Sequence, residues 1–217
     1  MCTEKHRLRL RMRPVGPWPV NSYALVCPVS NRSVLIDPGG DPEHLTDMLA
    51  GSVAVGILIT HTHPDHIGAL EEMRARLQVP VMAHPGPHWK GAMLAVDQHL
   101  DHGDRVEVGE GSIRAVHAPG HTDDLICYAL WDENQPGDQR VIVGDAIFEG
   151  GPGKTWSSAG FAATLQTLRQ VILGWPDDTV CHPGHGPSFR LGDIRPAAQA
   201  FLRRDHGDFF GDATWDM

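Results

Sequence analysis

Residues 54–66, Ala54-Val55-Gly56-Ile57-Leu58-Ile59-Thr60-His61-Thr62-His63-Pro64-Asp65-His66, decide the fold. Ile57-Leu58-Ile59 is a short apolar run rich in β-branched residues, flanked by Gly56 and Thr60, which predicts a buried strand. Four side chains able to ligate a metal follow directly: His61, His63, Asp65 and His66. Pro64 rules out a regular helix through the middle of the cluster. A loop at the end of a rigid strand can aim several side chains at one point, which a straight strand cannot. Three imidazoles and a carboxylate suit zinc, or iron and manganese when oxygen ligands are added. A plain polar loop accounts for one His-x-His; it does not account for four such side chains packed behind an apolar strand.

Composition narrows the class. With 217 residues and 41% hydrophobic content, the chain can bury a sizeable core, and a single domain spanning 1–217 is expected. Net charge is −9 and no basic run stands out beyond an arginine-rich N-terminal strand, which argues against nucleic-acid binding. Cys2, Cys27, Cys127 and Cys181 lack any Cys-x-x-Cys spacing and read as free thiols of a reducing, cytoplasmic compartment. No apolar stretch approaches the ~20 residues of a membrane span, and no apolar signal core follows the N-terminus. The expected partner is a small-molecule substrate; the sequence does not indicate an oligomeric state.

The rest of the chain repeats the strand-then-ligand pattern. Residues 7–13 alternate as a strand with its arginines in solvent, and 22–27 with 33–36 form a hairpin. Asp37 ends that hairpin, either as a turn former or as a carboxylate that orients a ligand. A helix over 42–49 follows, with Asp41 as N-cap and Pro42 in its first turn. Apolar spacing predicts a helix over 67–77 and a strand over 79–83. Residues 84–100 read as a lid or one short helix, with His84, His88, His99 and His102 as solvated loop histidines. Strands at 105–108 and 112–116 lead to Pro119-Gly120-His121. A strand at 125–131 and a polar loop at 132–139 precede a strand at 141–143, which ends in Gly144-Asp145. A helix over 161–173 and a strand at 179–181 lead to His182-Pro183-Gly184-His185. A last helix begins near Asp193, and the acidic tail from Asp205 is expected to fray unless Phe209, Phe210 or Trp215 docks.

Thr60-His61-Thr62-His63-Pro64-Asp65-His66 resembles the signature of the metallo-β-lactamase-fold hydrolases, and within them the glyoxalase II-like (hydroxyacylglutathione hydrolase-like) group. The resemblance implies an αβ/βα sandwich: two mixed sheets face to face with helices outside. Strands followed by one or two helices in each half permit that order. By motif, it implies one metal on His61, His63 and His121, a second on Asp65, His66 and His185, and Asp145 as the bridge. His182 competes with His185, and Pro183-Gly184-His185-Gly186 resembles the family motif. Antibiotic-degrading members carry Cys where this chain has Asp145, which points away from β-lactams.

The cofactor implied is two divalent ions, zinc first, with iron or manganese as alternatives. The activity implied is thioester hydrolysis by a hydroxide shared between the metals, with Asp65 and Asp145 as the catalytic carboxylates. Residues 186–217 leave no room for the helical glutathione-binding domain of full-length glyoxalase II, so a short-form thioesterase is expected. Lys154, in the Gly-rich stretch Gly150-Gly151-Pro152-Gly153-Lys154, is the candidate contact for a substrate carboxylate. Two other readings compete. One is a persulfide dioxygenase-like oxidoreductase with a single iron on His61, His121 and Asp145. The other is a non-catalytic metal-storage module, disfavoured by an intact ligand set.

Overall fold

A computed structural model describes residues 7–131 and 138–217; most of the polar loop expected at 132–139 lies outside them. Six strands form the first sheet in chain order: β1 (Arg9–Val15), β2 (Val20–Val26), β3 (Arg32–Ile36), β4 (Val53–Leu58), β5 (Val81–Ala83) and β6 (Gln98–His99). The first three pair antiparallel and the rest parallel. The second sheet runs β14-β13-β10-β9-β8-β7, from β7 (Arg105–Val108), β8 (Gly111–His117), β9 (Ile126–Ala129), β10 (Arg140–Gly144), β13 (Val180–Pro183) and β14 (Phe189–Arg190). A small hairpin, β11 (Ile147–Phe148) and β12 (Gly151–Pro152), follows β10.

The helices are α1 (Pro42–Met48), α2 (Pro64–Ile67), α3 (Leu70–Leu77), α4 (Ser158–Gln170) and α5 (Leu191–Phe201). Three apolar clusters define the four layers. Leu25, Val34 and Leu58 meet Ile113, Tyr128 and Ile142 between the sheets. Leu35, Ile57 and Val81 pack under Leu45 and Met73 of α1 and α3. Val141, Val143 and Cys181 pack under Phe161, Leu168, Ile194 and Phe201 of α4 and α5. β9 and β10 are buried on both faces along nearly their whole length, and each reads as a mostly apolar run.

Local expectations are corrected in four places. Pro64 does not exclude a helix from the cluster: it opens the one-turn α2, so Asp65 and His66 sit on helical backbone. A proline in the first turn lacks only an N–H that would have no partner there anyway. The helix expected over 67–77 is broken at Gly68-Ala69 into α2 and α3. Asp41 precedes α1 but makes no cap bond; its carboxylate accepts from Gly16 N at 2.9 Å. The arginine face of β1 is not all in solvent: Arg11 donates to the carbonyls of Met48 and Ala50 at the end of α1, while Met12 is 45% exposed. The tail does not fray but docks through Trp215, the alternative the sequence left open. Trp215 packs edge-on to Phe201, and its indole N–H donates to Glu149 O at 2.8 Å.

Candidate metal centre

All seven candidate ligands converge at one edge of the two sheets. The ligand atoms of His61, His63, His121 and Asp145 lie within 4.8 Å of one another, and those of Asp65, His66 and His185 form a second such group. Asp145 faces both: its Oδ1 is 3.4 Å from His66 Nε2, and its Oδ2 is 3.5 Å from His121 Nε2 and 3.7 Å from His185 Nε2.

The strand ends place these groups. Ile59 N donates to Met82 O, and Thr60 N donates to Asp37 Oδ1 at 2.7 Å, so the chain leaves β4 along a fixed path. His61 is turned inward to 1% exposure. Asp145 directly follows β10, and the Pro183-Gly184-His185 turn continues β13, its parallel neighbour. Asn21 Nδ2 holds that turn through Pro183 O and Gly186 O, and Tyr23 Oη donates to Pro183 O at 2.6 Å. Gly184 is required by close approach: a Cβ there would lie 2.2 Å from Asp145 Oδ1 and 2.6 Å from His66 Cε1.

The hydrogen bonds fix the imidazole tautomers. A backbone carbonyl can only accept, so His121 Nδ1 donates to Lys154 O at 2.7 Å and His185 Nδ1 donates to Pro19 O at 2.8 Å. His66 Nδ1 sits 2.9 Å from Asp37 Oδ2 and donates to it. The Thr60 hydroxyl donates to Asp37 at 2.6 Å, which leaves its lone pair for His61 Nδ1 at 3.1 Å. In all four rings the Nε2 is thereby left facing the cluster. This outer layer of acceptors is what a metal-ligating histidine needs. Asp37 resolves as both things the sequence allowed: it sits in the left-handed region at φ 52 and orients His66 and the strand end.

The donor set fits divalent cations and fits a cation-free cluster badly. His63 Nδ1 is 3.1 Å from His61 Nε2 and 2.9 Å from His121 Nε2, and one ring nitrogen cannot be a full partner to both. Asp145 Oδ1, His66 Nε2 and His63 Nε2 are buried without a hydrogen-bond partner. At 3.4 Å, the His66–Asp145 contact is an ion-pair distance rather than a sound hydrogen bond. Burial, then the neighbouring imidazoles, holds His61 well below the usual histidine range, and burial followed by His121 pushes His63 down to about 3. Burial likewise lowers His121. These rings are therefore neutral, as ligands must be. Burial alone would raise Asp145, but His66, His121 and His185 overrule it and hold the carboxylate ionised. Burial opposes a proton on His66, yet Asp145 and Asp37 outweigh it and push the ring up to about 10 when no cation competes.

His182 is not brought into the cluster. Its Nδ1 pairs with the Ser188 hydroxyl at 2.7 Å, inside β13. The Lys154 ammonium pairs with Asp212 at 2.8 Å and lies over Trp156, while its carbonyl is what holds His121. His84 stacks on His117, and neither is among the converging groups. Asn21, Tyr23 and Asp124 carried no motif, although Asp124, the partner of Thr62, belongs to the doubled carboxylate Asp123-Asp124 beside His121.

The model of the metallo-beta-lactamase superfamily matches residues 15–187, and the chain belongs to that superfamily. It is 31% identical over 199 residues to the probable metallo-hydrolase YqgX of Bacillus subtilis, covering 83% of this chain and 91% of that protein. It is 31% identical over 169 residues to the hydroxyacylglutathione hydrolase of Hahella chejuensis, covering 77% of this chain but only 61% of that enzyme. The crystal structure of ETHE1 from Myxococcus xanthus is similar with a TM-score of 0.77 at 27% identity, over 91% of this chain and 86% of that one. The cluster and the family together define a metal-binding protein of the hydrolase class.

Proposed function

We propose that the chain is a binuclear metallohydrolase acting on thioesters, with zinc as the first choice of metal. His61, His63 and His121 would hold one ion, Asp65, His66 and His185 the other, and Asp145 would touch both. The observation that carries this is Asp145 itself, a buried ionised carboxylate facing His66 through Oδ1 and both His121 and His185 through Oδ2, members of both groups. When bound, the ions supply a nucleophile at neutral pH and Lewis-acid polarisation of a carbonyl.

The chain's own residues do the rest. Burial would raise the Asp65 carboxyl, but His185 and then His66 keep it ionised, so it can take the proton of an attacking water. The outer acceptors Asp37, Pro19 O and Lys154 O hold the rings in one tautomer, so the site does not reorganise as charge develops. No protonated side chain with a free path to a leaving group stands among the seven, which suits a thiolate, since it leaves without a strong acid. The hydroxyacylglutathione hydrolase relatives support the thioester class.

The likeness to ETHE1 supports a second reading, a single iron on His61, His121 and Asp145 in an oxygen-using, persulfide dioxygenase-like enzyme. One experiment separates them. Purified protein is assayed against thioesters, lactones, β-lactams and a persulfide under oxygen, with metal-stripped protein as the control. Thioester turnover that returns on adding metal is expected. No thioester turnover above the stripped control refutes the first reading, and oxygen uptake on the persulfide favours the second.

A further inference from the structure

Next to His121 the surface falls into a cleft of about 370 Å³, walled by Trp89 and Lys90 on one side and by Trp156, Ala159 and Gly160 on the other. The two indoles touch, with centroids 4.9 Å apart and planes at 54°, so they form a V rather than a slot. Both indoles stand nearly perpendicular to the His63 ring, with centroids 4.3 Å away for Trp89 and 6.0 Å for Trp156. Whatever lies in the V is thus beside the reacting centre. Trp156 is 48% exposed although Trp89 and the Lys154 ammonium both lie against it, an unusual exposure for an indole.

Trp89 is anchored there by a relay of hydrogen bonds. Its backbone N–H donates to Thr62 Oγ1 at 2.8 Å, and the Thr62 hydroxyl donates to Asp124 Oδ2 at 2.6 Å. Asp124 is 2% exposed and also accepts from Thr62 N. Thr62 lies between His61 and His63, so the segment over 84–100 is pinned at one residue directly to the ligand loop. Each indole also carries a lysine ammonium over a face: Lys90 at 5.2 Å and Lys154 at 5.1 Å. A segment otherwise short of regular structure is fastened at Trp89, among the residues that line the cleft.

We infer that this cleft seats the non-reacting arm of the substrate, that the arm is an aromatic ring, and that Trp89 sets the preference. The inference rests on the proposed hydrolysis at the adjoining histidines. An aromatic ring can lie against the exposed part of Trp156 beside Trp89, in the offset or edge-to-face geometry aromatic pairs favour. A short alkyl arm leaves both indoles in water.

Two measurements test it on the full chain. In the first, phenylacetate and acetate are titrated into metal-stripped and metal-loaded protein, and the indole N–H signals are followed by NMR. Signals for Trp89 and Trp156 are identified by their loss in Trp89→Phe and Trp156→Phe. Phenylacetate is expected to move both, and acetate neither. In the second, kcat/KM is compared for phenylacetyl and acetyl thioesters of one thiol. Trp89→Ala is expected to lower the phenylacetyl-to-acetyl ratio about tenfold, and Trp89→Phe to restore most of it. An unchanged ratio in an enzyme that turns over both esters, or unmoved indole signals on the wild type, overturns the inference. If neither ester is turned over, hydrolysis has failed and the titration alone decides the cleft.

Discussion

Asp37→Asn is the perturbation with the sharpest expected signature. Asp37 accepts from Thr60 N at 2.7 Å, the Thr60 hydroxyl at 2.6 Å and His66 Nδ1 at 2.9 Å, and it is fully buried. Asparagine keeps the volume, and of the non-glycine residues it is among those that best tolerate the left-handed backbone found here at φ 52. Its oxygen can still accept from Thr60 N, which puts the amide NH2 against His66 Nδ1. That nitrogen must then accept, so the ring proton moves to Nε2, the atom that faces Asp145. The change therefore costs little in packing and offers the metal the wrong tautomer. Loss of such an outer partner costs about 10–100-fold in metal affinity, or roughly 1.4–2.7 kcal/mol. The assay is competition with a chromophoric chelator, fitted for two ions per chain. The ion held by Asp65, His66 and His185 is expected to weaken by that factor, and the other by much less. Affinity within threefold of wild type at both would refute the tautomer argument.

Three further outcomes follow from the same geometry. Gly184→Ala places a methyl against Asp145 Oδ1 and His66 and is expected to destabilise the protein by about 1–3 kcal/mol, with loss of metal; a normal melting temperature and full loading would refute the cradle. Burial, then Arg140, pushes His182 down to about 4, so the unfolded chain binds a proton near pH 6.5 that the folded chain refuses. The His182 contribution to stability should therefore be constant above about pH 6.5 and fall by up to about 3 kcal/mol as pH drops towards 4, and His182→Gln should lessen that slope in denaturant titrations. Trp215→Ala should cost about 3 kcal/mol, the scale for emptying an aromatic site, whereas a frayed tail would show under about 0.5 kcal/mol.

The parts of the fold legible in the sequence were those governed by local pattern. Ile57-Leu58-Ile59 and Val141-Ile142-Val143 are double-buried strands, and such strands read as apolar runs wherever they sit. The candidate ligands were legible because each lies just beyond a strand end, close to a Pro or Gly break, a coincidence of two signals. What stayed hidden depends on partners far along the chain. Asn21 is an ordinary strand residue until the turn at 183–186 arrives from the other sheet. Asp124 became informative only when Thr62 and Trp89 were seen on it. The tail looked free because its charge is local and its anchor, Trp215 on Phe201 and Glu149, is not. Pro64 misled because proline breaks a helix interior but suits a first turn, and one residue of register separates the two.

The central claim is that two groups of side chains share one carboxylate and hold two cations. The most direct test is the number of ions per chain, read by elemental analysis of protein stripped with chelator, reloaded with zinc and freed of excess. Two per chain is the expected result, falling to one or none in Asp145→Ala with the fold retained by circular dichroism. One ion per chain in the saturated wild type, or two still bound after removal of Asp145, would contradict it.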